Sequence, residues 1–140
     1  MLNDTWEWDG ATWAKRSPAQ SPPARFFGSM VFDEDGKRIV LFGGANSSNT
    51  NTTLDDTWVW DGTNWTEIVG ATHPSTRHHP SMAYDPVRKQ TVLFGGRSAN
   101  TFFGDTWVLA GATWTKLSPA VSAPGRNSAA IYFDPIGARI

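Results

Sequence analysis

The tripeptide Asp-Thr-Trp occurs three times in this 140-residue chain, at Asp4-Thr5-Trp6, Asp56-Thr57-Trp58 and Asp105-Thr106-Trp107, 52 and then 49 residues apart. A second Trp follows each at the same distance: Trp13, Trp65 and Trp114. Arg25, Arg77 and Arg126 keep the same two steps, and so do Asp33, Asp85 and Asp134. Phe42-Gly43-Gly44 returns as Phe94-Gly95-Gly96. So many landmarks in one register define a tandem repeat, which constrains the fold more than any single motif does. The difference between the two steps lies in one place: eleven residues separate Gly44 from Asp56, but eight separate Gly96 from Asp105. A connection that changes length while its surroundings keep step is a surface loop.

Eight Trp and eight Phe sit beside thirteen Gly and nine Pro, a mixture of flat side chains and turn formers that suits short β-strands. No stretch holds apolar residues at helical spacing for three turns. Four strands are expected per unit: a, Gly28 to Phe32; b, Arg38 to Phe42; c, Thr57 to Trp60; and d, Trp65 to Val69. Asp33-Glu34-Asp35-Gly36 makes the a–b turn, and Asp61-Gly62 supplies the positive φ of a tight c–d hairpin. Strand c puts Trp58 and Trp60 on one face and Val59 on the other, and strand b is apolar on both. A sheet apolar on both sides must be covered on both. Stacking four-stranded sheets like blades around an axis does this.

A unit of about fifty residues with a double glycine ending strand b and spaced aromatics after it resembles the kelch repeat. Val-Leu-Phe-Gly-Gly followed by Asp-Thr-Trp-Val-Trp-Asp-Gly is similar to the kelch-type repeats of bacterial propellers and of the galactose oxidase central domain. The resemblance implies an all-β fold, a partial kelch-type β-propeller of about three antiparallel four-stranded blades. The expected divisions are strands c and d of a blade in 1–24, full repeats in 25–76 and 77–125, and the start of another in 126–140. Closed propellers have four to eight blades, so the remaining blades are expected from a longer chain or from self-association that closes a ring. The longer chain is preferred, because strand b is incomplete at Ile140.

Twelve basic and thirteen acidic residues leave a net charge of −1, without the basic footprint of a nucleic-acid binder. With no cysteine there is no thiolate metal ligand and no Cys nucleophile. Apolar runs such as Ile39–Phe42 fall far short of a membrane span. No signal peptide is visible and the compartment is left open; an extracellular one is compatible with a fragment.

Residues that recur in every repeat are assigned to the framework: Asp56 and Asp105 with Arg25, Arg77 and Arg126, as charge-assisted ties between loops; Gly43, Gly44, Gly95 and Gly96, where a side chain would block a turn or close approach; and Trp58, Trp65, Trp107 and Trp114, as core. The competing reading of the charges is a ring around a channel. His78 and His79 align with Phe26-Phe27 and Asn127-Ser128, so the framework does not demand histidine, and surface histidines at a rim are expected rather than metal ligands. Tyr84 and Tyr132 read as core.

The b–c and d–a loops share one face and vary between repeats, so candidate ligand contacts are Asn49, Asn51, His78, His79, Arg97, Asn100, Phe102 and Phe103. Exposed Arg and Phe make a plausible hot spot; the alternative is that Phe102 and Phe103 cover the blade edge. The function expected is a non-catalytic scaffold for a protein or carbohydrate ligand, with no metal or cofactor. The alternative is the propeller part of a secreted, galactose oxidase-like carbohydrate-active enzyme whose catalytic residues lie outside this chain. The copper site of galactose oxidase needs a tyrosine cross-linked to a cysteine, which is lacking here.

Overall fold

A hairpin opens the described chain, with β1 (Thr5–Trp8) pairing antiparallel to β2 (Trp13–Arg16). The computed structural model describes residues 1–47 and 52–140. β3 (Ser29–Asp33), β4 (Arg38–Ala45), β5 (Thr53–Trp60) and β6 (Trp65–Ile68) form an antiparallel sheet in chain order. β7 (Ser81–Asp85) and β8 (Gln90–Phe94) begin the next sheet, the short hairpin of β9 (Arg97–Ser98) and β10 (Thr101–Phe102) interrupts it, and β11 (Thr106–Ala110) and β12 (Thr113–Leu117) complete the order β7-β8-β11-β12. No helix occurs among the described residues.

Strands b and c are longer in the first sheet than expected, because the ladder continues past the double glycine. A register shift between Phe42 and Gly44 lets Gly44 pair with Leu54 and Ala45 with Thr53, the signature of a β-bulge. Both glycines have positive φ, 64° at Gly43 and 108° at Gly44, and 69° and 97° at Gly95 and Gly96. A Cβ on Gly43 would stand 2.6 Å from the Arg77 carbonyl oxygen, and one on Gly95 2.5 Å from that of Arg126. The double glycine is therefore where the chain entering the following unit runs against the end of strand b.

The middle sheet is apolar on both faces. Val40 and Phe42 join Met82, Leu93, Trp107, Leu109 and Trp114 in one core between the two sheets. Leu41, Trp58, Trp60 and Trp65 form a second core on the side of β1–β2. The alternation along β5 divides them, with Val59 packed against the first core and Trp58 and Trp60 in the second. The first strands, β3 and β7, lie against each other.

Two expectations need correction. Residues 126–140 hold a single bridge, Asp134 to Arg139, in place of a strand a. A strand is held by its ladder, and Ala129 to Phe133 find no strand to pair with among the described residues. Tyr132, expected in the core, is 76% exposed for the same reason, whereas Tyr84 is buried.

Candidate binding face

Arg77 shows how the repeated charges work. Its backbone belongs to the sheet behind it: Arg77 N–H donates to Leu54 O at 2.9 Å, and Arg77 O accepts from Gly44 N–H at 2.9 Å. Its guanidinium serves the sheet ahead, donating to both Asp105 carboxylate oxygens at 2.6 and 3.1 Å and to Gly95 O at 2.9 Å. The side chain is fully buried. Arg25 makes the same fork on Asp56, at 2.6 Å twice, and reaches Gly43 O. The Arg126 backbone clips Gly96 and Phe103 in turn. Bidentate charge-assisted bonds of this kind are the strong ones. Burial pushes the Asp105 carboxyl up, but the Arg77 guanidinium and the Trp107 indole outweigh it and hold it below the ordinary aspartate value.

The rest of the Asp-Thr-Trp motif has an equally definite use. The Trp indole N–H donates to its own Asp, Trp58 to Asp56 at 2.7 Å and Trp107 to Asp105 at 2.8 Å. The Thr hydroxyl accepts from the second Trp of the following unit: Trp65 to Thr5 at 2.8 Å and Trp114 to Thr57 at 2.9 Å. Sequence reasoning missed these bonds, because a hydroxyl and an indole about a repeat apart carry no local signal of pairing.

Phe27, His79 and Ser128 occupy one repeat position and all have positive φ, 60°, 52° and 54°. They hand one backbone bond along: His79 N–H to Phe27 O at 2.8 Å, then Ser128 N–H to His79 O at 3.1 Å. The Phe27 and His79 rings stack with centroids 4.0 Å apart. His78 is 2% exposed, so the surface reading is corrected for it, while His79 is half-buried. The aligned residues, Phe26 and Asn127, gave no consistent signal of burial at this position. The two Nδ1 atoms lie 2.5 Å apart, so one ring donates and the other must be an unprotonated acceptor. Burial pushes His78 below the ordinary histidine value, and His79 and Arg97 push the same way; burial and then Arg97 lower His79. Among the described residues no group of three His, Asp or Glu side chains could hold a metal ion.

Beside the histidines stands the β9–β10 hairpin, its first residue bridged to His78. Phe102 and Phe103 part company there. Phe103 lies under the Arg77 guanidinium, 4.0 Å from carbon to ring centroid. Phe102 is 50% exposed, with the Arg97 guanidinium 5.5 Å from its ring. Arg97 Nε donates to Ala99 O at 2.8 Å, which fixes the guanidinium over the hairpin, and Asn100 is exposed at its tip. Asn49 and Asn51 lie outside the described residues.

With this geometry in place the comparison with known families is decisive. The family model described as the KLHDC2/KLHL20/DRC7 Kelch-repeats domain matches residues 1–134. The chain belongs to the kelch-repeat family. No curated protein sequence gives a significant match. Kelch-repeat domains typically serve as protein-binding scaffolds and are generally non-catalytic. In this kelch chain the all-β architecture of antiparallel four-stranded sheets is that of a partial propeller.

Proposed function

We propose that the chain binds a protein partner through the face carrying Phe27, His79, Arg97 and Phe102, with Asn100 adding a polar contact. The observation that carries this reading is the Arg97–Phe102 pair, an aromatic ring half open to water beside a guanidinium held by the Ala99 carbonyl of the hairpin. Arg and aromatic residues dominate interface hot spots, and a pre-positioned Arg loses little freedom on binding. Phe27, also about half exposed, extends the apolar area of this face. Buried His78 and the covered Phe103 support the face from behind and make no direct contact in this reading.

Selection of peptides from a random phage-displayed library on the folded chain tests the proposal. The expected result is enriched peptides whose affinity falls about 30-fold on Phe102→Ala or Arg97→Ala, the effect of losing a hot spot of about 2 kcal/mol. Near-UV circular dichroism should stay unchanged. Peptides indifferent to both substitutions, or no enrichment, would remove the proposal's basis, and a glycan-array signal sensitive to them would redirect it to carbohydrate.

A further inference from the structure

The β9–β10 hairpin that carries Arg97 and Phe102 is lightly attached. Its strands are two residues each, Arg97 opposite Phe102 and Ser98 opposite Thr101, in a sheet of their own. Ala99 in the turn is held at a φ of 49°, a left-handed conformation that disfavours any residue with a Cβ. At the base, His78 and Arg97 exchange two backbone bonds of 2.9 Å, and Phe103 N–H donates to Gly96 O. The Ser98 hydroxyl meets that of Thr53 at 2.9 Å.

The residue that clips this base belongs to a pair that has no room for further protons. With the Nδ1 atoms of His78 and His79 2.5 Å apart, the neutral rings hold one proton between them. The Nε2 atom of His78 is buried with no hydrogen-bond partner among the described residues. A third ring proton charges the pair, and a fourth leaves two N–H donors face to face, which ends the bond. Arg97 opposes positive charge on both rings. The ring packed on the pair from the unit before, Phe27, and the Ser128 amide of the unit after bring no charge. The arginines that precede them are turned elsewhere, Arg25 to Asp56, Arg77 to Asp105 and Arg126 to Pro124 O. No carboxylate bonds to either ring among the described residues.

We infer that the His78–His79 pair is a proton-sensitive latch on the β9–β10 hairpin. Neutral, it holds Arg97 and Phe102 as the partner meets them. Protonated, it repels Arg97, loosens the His78–Arg97 bridge and releases the hairpin, so that acidification weakens binding. The effect on binding rests on the reading of this face proposed above, whereas the release of the hairpin does not. The hairpin is the part that yields, because His79 is tied through its backbone to Phe27 on one side and Ser128 on the other. Histidine is the side chain whose charge changes in this range of pH. The aligned Phe26-Phe27 and Asn127-Ser128 take up no proton there, so the latch belongs to the unit that carries the hairpin.

Amide hydrogen exchange of the full 140-residue chain, followed by NMR at pH 7 and pH 5, tests the latch without any ligand. Arg97 N–H bonds to His78 O, and Arg77 N–H, bonded to Leu54 O, is a matched reference. At pH 5 the Arg97 amide should lose at least about tenfold of its protection relative to the Arg77 amide. His78→Phe with His79→Phe, and His78→Asn with His79→Ser, install the residues of the flanking units, and each pair should abolish that loss. His73, 3.8 Å from Asp55, is kept in both. Unchanged relative protection in the unsubstituted chain, or a loss that persists in either folded variant, overturns the latch. Peptides selected at pH 7 should bind about fivefold more weakly at pH 5, the effect of leaving about a fifth of the molecules competent. A hairpin that opens while affinity holds or rises overturns the control of binding and leaves the face standing. Failure to obtain any peptide removes the face, and the exchange measurement still decides the latch.

Discussion

The β1–β2 hairpin and the middle sheet carry the same motif and treat it differently. Trp58, Trp60 and Trp65 are buried, whereas Trp6, Trp8 and Trp13, in the aligned places, are each about half exposed or more. Asp56 is gripped by Arg25, while Asp4 has a lysine at 3.9 Å. Local structure is the same in both, since each pairs its strands with matching register across the hairpin, Trp8 opposite Trp13 and Trp60 opposite Trp65. What differs is the neighbour. In this fold sequence fixes the hairpin, and adjacency on both sides decides whether the aromatic and charged residues stabilise it.

The largest effect expected from this contrast comes from the second Trp. Trp114→Ala removes a buried indole bonded to Thr57 and should cost about 4 kcal/mol by urea denaturation. Trp13→Ala, at an indole 63% exposed, should cost less than about 1 kcal/mol. Equal losses would mean that the hairpin is as well supported as the sheets.

Next come the arginines. Arg77→Ala leaves Asp105 without its fork and should cost about 3 kcal/mol, against less than about 0.5 kcal/mol for Arg126→Ala. Glycine contrasts are smaller. Gly95→Ala must accept φ near 69° and a Cβ pressed on the Arg126 carbonyl, a loss of about 2 kcal/mol. Gly111→Ala, with φ 59° and open space around it, should cost about 1 kcal/mol.

The smallest effect is a pH dependence. His78 and His79 are held below the ordinary histidine value by burial first and then by neighbouring charge. The unfolded chain therefore binds more protons as pH falls through about 6.5. Stability is complete above that range and declines below it. His78→Phe, which installs the aligned residue of the preceding unit, should flatten the urea midpoint between pH 7 and pH 5. An unchanged slope would show that the histidine pair does not control it.

Much of this was legible because it is repeated. The register of Asp-Thr-Trp, Arg25 and the double glycine located the strands, and the two-residue alternation of β5 divided Trp58 and Trp60 from Val59. Contacts that cross units were less visible. No spacing rule connects Trp114 with Thr57, and alternation says that Phe102 and Phe103 diverge without saying which one is covered. That choice is made by the Arg77 guanidinium, which belongs to the chain before β7. Residues 126–140 show the limit from the other side. Their sequence reads as strand a, but pairing makes a strand, and a matching sequence alone does not.

The bonding of Arg77, main chain to the sheet behind and side chain to the sheet ahead, bears on how such an array can grow. The fork, the indole–hydroxyl bond and the clip on the second glycine use residues that recur from unit to unit, so copying one unit into the chain creates boundaries that keep these three contacts. Contacts such as Trp60 to Glu7 and Phe27 on His79 differ from boundary to boundary, so duplication keeps the shared joint and leaves the rest to be adjusted.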